Sequence, residues 1–407
     1  MKIIEMAKKA KEASFQLLSI SEDQRNQSLL SIAEAIKNST QEILKENEKD
    51  LLEAKKDQLS EPMIDRMKLT HHSLQRLSES VIEIAKSPQV VGLKEEKRQR
   101  PNGLIIEKQR IPLGVIGMIF ESRPNVVIDG IALAIKSGNA IILKGGKEAN
   151  HSNKILFEVA NRACQNLLPL GSLNLVETRD EVLSLLKLHE YIDLMIPRGG
   201  SQLISFVKTH ASMPVVAHDK GLCHIYVDST AKNPIPIILN SKIQRPGVCN
   251  AVETLLIHKD YANTKEILQS LIDEKVEIRG CQEATQLHPK VILASHEDYD
   301  NEYLDKIISL KIVSSFDEAI THIKKHSSHH TEVILSESSD QIQRFLNELD
   351  SSAIIVNASS RFNDGGELGL GAEIGISTSK LHAYGPMGAK EMTTTRFVVT
   401  GNGQIRL

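Results

Sequence analysis

A chain of 407 residues is long enough to bury a large core and to divide into two or three domains. Basic and acidic residues nearly cancel, 49 against 52, which sets aside nucleic acid as a partner. Tryptophan is absent and aromatics make up only 3%, so no stacking platform for bases or sugars is expected. No apolar run has the length of a membrane span. Four scattered cysteines without a CxxC pair predict a reducing cytoplasm rather than a disulfide framework.

Residues 1 to 90 read as helices. Met6, Ala10, Ala13 and Leu17 share one face, and Ser21 to Gln24 has the pattern of a capping box before Leu29, Ile32 and Ile36. From residue 103 the texture changes. Apolar runs at Val115–Phe120, Ala140–Leu143, Leu173–Val176 and Ile192–Ile196 alternate with helical patterns at Asp129–Lys136, His151–Leu167, Asp180–Leu188 and Ser201–Lys208. That alternation predicts a doubly wound α/β architecture, a parallel sheet covered on both faces. A second strand–helix region spans 229 to 355, with Ala251–Ile257, Thr264–Glu274 and Val333–Leu335, and Pro234-Ile-Pro236 reads as a linker near its start. The stretch Asp364–Gly375 is too rich in glycine for a regular element. Thr395–Thr400 reads as a last strand that pairs with Leu104–Ile111, either within the chain or across a dimer.

Cys249 follows the Pro246-Gly247 turn and leads into the apolar run Leu255 to Ile257, so its thiol sits at the mouth of a core element, where a nucleophile is needed; a small buried hydrophobe is the plain alternative. The apolar strand Ile192–Ile196 leads into Gly199, Gly200 and Ser201 and then a helix, which is either a pyrophosphate site or an ordinary strand-to-helix turn. Lys144 and Lys147 stand at the carboxyl end of another strand, where a lysine pair attracts a 2′-phosphate and favours NADP(H) over NAD(H), unless both are merely solvated. Ser122, Arg123 and Asn125 follow a third strand and offer donors for an oxyanion or a carboxylate, as do Arg361 to Gly366 and Ser377 to His382; loop-stabilising turns are the plain alternative. His326, His329 and His330 lie close in sequence, but no HExxH pattern accompanies them and no metal site is expected.

The stretches RPGVCNAVETLLIH around Cys249, PLGVIGMIFESRPNV, SGNAIILKGGKEA, IPRGGSQLI and AEIGISTSKLHAYGPMG together resemble the gamma-glutamyl phosphate reductases, also called glutamate-5-semialdehyde dehydrogenases, of the aldehyde dehydrogenase superfamily. The likeness runs in order along nearly the whole chain. It implies an aldehyde-dehydrogenase-like fold. The expected parts are an NADP-binding domain over 1–228, with 103–114 in a small β oligomerisation element, a catalytic domain over 229–360, and a return loop and oligomerisation segment over 361–407. It implies NADPH-dependent reduction of gamma-glutamyl phosphate through a Cys249 thioester, the second step of proline biosynthesis. By the same resemblance Lys144 holds the adenosine ribose, Lys147 replaces the acidic residue of NAD-preferring relatives, Gly199 to Ser201 bind the pyrophosphate, and Glu302 holds the nicotinamide ribose. The superfamily's oxyanion asparagine falls near Ser122 or Arg123. A homo-oligomer, dimer or tetramer, and a transient contact with glutamate 5-kinase are the implied partners.

Two departures stand out. Hydrolytic aldehyde dehydrogenases carry a glutamate base in an E-L-G-G motif, whereas residues 216–221 here read Val-Ala-His-Asp-Lys-Gly. An enzyme that exchanges its thioester with phosphate has no use for that base. Tyr384 stands where the reductase family is expected to carry arginine.

Overall fold

The structure is a computed structural model that describes residues 2–406 except 179, 180, 218, 219, 371 and the side chain of Pro62. The chain forms two compact units, one of Met1–Ala217, Gly369–Gly375 and Met387–Leu407, the other of His218–Leu368 and Ile376–Pro386.

The first unit opens with α1 (Lys2–Leu17), α2 (Glu22–Asn38), α3 (Thr40–Lys56), α4 (Glu61–Met67) and α5 (His71–Lys86). The capping box forms as the sequence predicts: Ser21 Oγ accepts from the Gln24 amide at 3.2 Å and Gln24 Oε1 accepts from the Ser21 amide at 3.0 Å. Along α1 the buried stripe includes Ile3, Ala7, Ala10, Ala13 and Leu17, with Met6 half-buried against the same core. The antiparallel pair β1 (Lys94–Gln99) and β2 (Ile105–Pro112) follows, and the C-terminal strand Thr393–Thr400 pairs with β2 in the same chain. The sequence of β1, Lys-Glu-Glu-Lys-Arg-Gln, has no apolar period, so only its partner marks it as a strand.

The alternating region then gives β3 (Val115–Phe120), α6 (Asn125–Ser137), β4 (Ala140–Lys144), α7 (Asn150–Cys164), β5 (Leu173–Leu175), α8 (Glu181–Leu185), β6 (Leu194–Arg198) and α9 (Ser201–His210). The helical pattern expected from Asp180 begins outside the described residues. The four strands form a parallel sheet in the order β5-β4-β3-β6. All six β3 residues are buried, as a strand with helices on both faces requires. Lys136 is fully buried yet satisfied: its ammonium meets Glu22 Oε1 at 2.6 Å, Asn26 Oδ1 at 3.0 Å and the carbonyls of Ala85 and Ser87 at 3.2 and 2.8 Å, tying α6 to α2 and α5.

The second unit carries β7 (Cys223–Val227), α10 (Pro234–Ile243), β8 (Val252–His258), α11 (Thr264–Asp273), β9 (Glu277–Gly280), α12 (Gln282–Leu287), β10 (Ile292–Leu293), β11 (Ile307–Val313), α13 (Phe316–His326), β12 (Thr331–Leu335), α14 (Ser339–Glu348), β13 (Ala353–Val356), β14 (Ile376–Ser377) and β15 (Gly385–Pro386). Seven parallel strands lie in the order β10-β9-β11-β8-β7-β12-β13. Alternate residues face opposite layers: Ile225, Leu255, Ile257 and Val333 pack with α11, while Tyr226, Leu256 and Ile334 pack with Phe316, Ile323 and Phe345 of α13 and α14. Each such side chain stabilises the fold by roughly 1.5–3 kcal/mol.

Two sequence expectations change here. Because β7 pairs with β8 and β12, residues 223–227 belong to the second sheet, and the division falls at 217/218 rather than at 228/229. Pro234-Ile-Pro236 is no linker. Its first proline sits in the opening turn of α10, where a missing N–H costs nothing.

Candidate active site

The residues singled out in the sequence fall in both units, and each group is described within its own.

In the first unit, strand pairing gathers three motifs at one edge of the sheet. Register pairs Ile119 with Lys144 and Phe120 with Arg198, so the carboxyl ends of β4, β3 and β6 lie side by side. The chain leaves β3 toward β4 and β5 and then returns to β6 on the other side, which makes the β3/β6 boundary the switch point where open α/β sheets bind ligands. Gly199 and Gly200 are exposed there and α9 begins at Ser201. The Gly200 N–H donates to Glu121 Oε2 at 2.8 Å, and a Cβ on Gly199 would lie 2.3 Å from the same oxygen. The turn therefore offers a backbone N–H to an oxyanion, and the missing side chain of Gly199 leaves room for it.

Lys144 is buried and donates to the Gly145 carbonyl; burial lowers its pKa, opposed by the nearby Glu148 carboxylate. Lys147 is exposed one turn further on. Ser122 holds a left-handed backbone, φ 48°, and both its N–H and its hydroxyl donate to Glu148 Oε1, at 2.7 and 2.8 Å. Asn125 donates its side-chain amide to Asp129 Oδ2 at 2.9 Å. Two of the proposed oxyanion donors thus already serve carboxylates, and Arg123, also half-buried, has a partner of its own. Sequence reasoning passed over Glu121, Glu148 and Asp129. The first two adjoin residues it did select, so an acid directly after a strand or a lysine was the available signal.

In the second unit Cys249 occupies the turn between α10 and β8 and is half-buried. Burial pushes the thiol of Cys164 up to about 12, drives that of Cys223 well above its usual range, and raises that of Cys281. Gly221 packs against the Cys249 backbone and donates its N–H to Glu302 Oε1 at 2.9 Å. Burial raises the Glu302 carboxyl, opposed by that same bond. Cys223 Sγ donates to the Cys249 carbonyl at 3.1 Å. On the other side Asn250 Nδ2 donates to the Asn363 carbonyl at 2.9 Å, and Ser360 Oγ donates to the Asn250 carbonyl at 2.6 Å. The Cys249 loop is therefore fixed from two directions. The structure links Cys249 and Glu302 through Gly221, although they stand 53 positions apart in the chain.

Of the stretch 216–221, His218 and Asp219 lie outside the described residues. Tyr384 donates its hydroxyl to the Asp350 carbonyl, beside the Lys380–Asp350 ion pair, which makes it a local contact. Asp50, Glu53 and His151 bring potential ligand atoms within 4.8 Å of one another, but both Asp50 oxygens accept backbone N–H groups of His151 and Ser152 and so cap α7. No described helix is long and apolar enough to cross a membrane.

Comparison with known proteins shows the family of the chain. The aldehyde dehydrogenase family matches residues 1–306. Gamma-glutamyl phosphate reductase of Caldanaerobacter subterraneus subsp. tengcongensis is 47% identical over 407 residues, covering 98% of each chain, and that of Geotalea daltonii is 47% identical over 412 residues, covering 100% of this chain and 99% of its own. The crystal structure of gamma-glutamyl phosphate reductase from Thermotoga maritima superposes with a TM-score of 0.97 at 40% identity, covering 100% of both chains. The chain belongs to the gamma-glutamyl phosphate reductase family, within the aldehyde dehydrogenase superfamily.

Proposed function

We propose that this chain reduces gamma-glutamyl phosphate to glutamate 5-semialdehyde and phosphate with Cys249 as nucleophile, the second step of proline biosynthesis. The observation that carries the role of Cys249 is its setting: a half-buried thiol in a turn braced by Gly221, Cys223 and Asn250, in a chain whose other three thiols are held neutral by burial.

The Cys249 thiolate attacks the γ-carbonyl and expels phosphate, leaving a thioester. NADPH, when bound, supplies the hydride that reduces the thioester carbon. The resulting thiohemiacetal on Cys249 collapses to the aldehyde and returns the thiolate, so one acyl phosphate, one NADPH and one proton give one aldehyde, one NADP+ and one phosphate. Gly199, Gly200 and Ser201 are proposed to receive the pyrophosphate, Lys144 the adenosine ribose, Lys147 the 2′-phosphate and Glu302 the nicotinamide ribose. The Gly200–Glu121 contact supports the first assignment, because that helix terminus already holds an oxyanion. For the oxyanion at the reacting carbon, the backbone N–H groups near Cys249 are favoured over Ser122 and Asn125, whose side chains donate to Glu148 and Asp129.

A homo-oligomer is supported by the open edge of the C-terminal strand, where Phe397 is 61% exposed and Val399 56%. A reactive thiol and NADPH both suit the reducing cytoplasm. The labile acyl phosphate makes direct transfer from glutamate 5-kinase advantageous. Replacing Cys249 by Ala tests the assignment: turnover falls roughly 10,000-fold or more while NADPH binding, followed by fluorescence, persists. Substantial residual turnover in that variant removes Cys249 from the mechanism.

A further inference from the structure

Arg361 lies in a short 3-10 turn, Ser360–Phe362, that the rest of the second unit fastens to the Cys249 loop. On one side of it Ser360 Oγ donates to the Asn250 carbonyl at 2.6 Å, and on the other the Asn363 carbonyl accepts from Asn250 Nδ2 at 2.9 Å. Ser360 and Asn363 are themselves buried, and Asn363 Nδ2 donates to Thr331 Oγ1 at 2.8 Å. The residue after the nucleophile is therefore stapled at both ends of the arginine-bearing turn, and Arg361 has little freedom to move away from Cys249.

The guanidinium is half-buried. Its Nε donates to Gln244 Oε1 at 2.7 Å, which fixes the plane of the fork and leaves the two terminal nitrogens for another acceptor. Arg245, four residues before Cys249, is exposed and close enough to repel it. Among the described residues no carboxylate forms an ion pair with either arginine. The nearest acid, Asp364, has its Oδ1 engaged by the backbone N–H of Gly366 at 2.9 Å. Arg245 and Arg361 repel one another, Asp364 offsets part of the Arg361 charge without forming an ion pair, and a bound anion relieves the remainder.

We propose that Arg361, with Arg245 beside it, forms a subsite next to Cys249 for an oxyanion of the substrate, either its phosphoryl group or its free carboxylate. This rests on the reading of the chain as an acyl-phosphate reductase. The subsite adds a task that Cys249 cannot perform: it orients the acyl phosphate for attack and neutralises the phosphate as it departs, or it fixes the far end of the glutamyl chain.

The test is the reverse reaction of the full chain, with glutamate 5-semialdehyde, NADP+ and inorganic phosphate, in the wild type and in Arg361→Gln, Arg361→Lys and Arg245→Gln. Arg361→Gln is expected to raise one KM about 10- to 100-fold, with Arg361→Lys recovering part of the loss and thermal unfolding little changed. A rise in the KM for phosphate identifies the phosphoryl group as the ligand; a rise in the KM for the semialdehyde identifies the carboxylate. If Arg361→Gln does not fold, Arg361→Lys and Arg245→Gln are judged by the same measure. A phosphate-dependent wild type whose folded variants keep both KM values within about twofold overturns the subsite alone. A wild type that needs no phosphate removes the underlying reading, and the subsite with it.

Discussion

Gly221 lies so close to Cys249 that a Cβ added to it would stand 2.1 Å from the Cys249 carbonyl oxygen and 2.6 Å from its Cα. Both contacts are to backbone, which cannot swing aside. The same glycine passes its N–H to Glu302, so one residue without a side chain sets the spacing between the nucleophile and the proposed ribose acceptor. Gly221→Ala should displace the Cys249 turn, lowering activity at least about 100-fold and stability by roughly 1–3 kcal/mol. Steady-state rates and urea unfolding of the purified variant check both, and wild-type activity in it would mean that the close approach is not required.

The four thiols should separate by environment. At neutral pH an alkylating reagent is expected to modify Cys249 first, with acyl-phosphate or aldehyde substrate protecting it. Cys164 and Cys223, buried and held neutral, should react only on unfolding, with Cys281 between the two groups. Peptide mass spectrometry over a time course reads the order directly.

Glu121 occupies the anion site at the start of α9 that the cofactor is proposed to use. A pyrophosphate must displace that carboxylate or bind against its charge. Glu121→Gln should therefore tighten NADP+ binding severalfold, most strongly at low ionic strength, as seen in a fluorescence titration. Weaker binding in the variant would mean that Glu121 helps hold the cofactor.

Asp129 is half-buried on α6, and the burial of its carboxyl raises it from 3.8 to about 6, opposed by the Asn125 hydrogen bond and the Arg198 charge and reinforced by Glu373. A raised carboxyl means that the folded state binds the proton more tightly than the unfolded chain. Stability contributed by this group is therefore present at low pH and declines as the pH rises from about 4 to about 6. The penalty above that window is on the order of 3 kcal/mol. Asp129→Asn should recover up to that amount at pH 7.5 and nothing at pH 4, measured by urea unfolding at both values.

The strands and helices around β3, β4, β6 and α9 were legible because each is a continuous apolar run or a helical period closed by a cap or a glycine turn. Cys249 drew notice as a thiol placed between a Pro-Gly turn and a core strand, and its proposed role as nucleophile came from the family resemblance. Other features depend on partners distant in sequence. The polar strand β1 is a strand only because β2 pairs with it, and β7 joined the second sheet through β8 and β12. Glu121 and Glu148 became visible only when strand register set them against Gly200 and Ser122. Arg361 looked like one donor among several until Ser360 and Asn363 fastened it to Asn250. Spacing along the chain reports local conformation, whereas a site made from loops at one edge of a sheet reports the order of the strands.

The most direct test of the account is reduction of NADP+ by the wild-type protein with glutamate 5-semialdehyde, run with and without phosphate and repeated with NAD+. Absorbance growth that requires phosphate and prefers NADP+ is the predicted result, because the proposed Cys249 thioester exchanges with phosphate and Lys147 is proposed to receive the 2′-phosphate. Growth without phosphate would contradict it, since water would then release the thioester and the chain would be a hydrolytic aldehyde dehydrogenase.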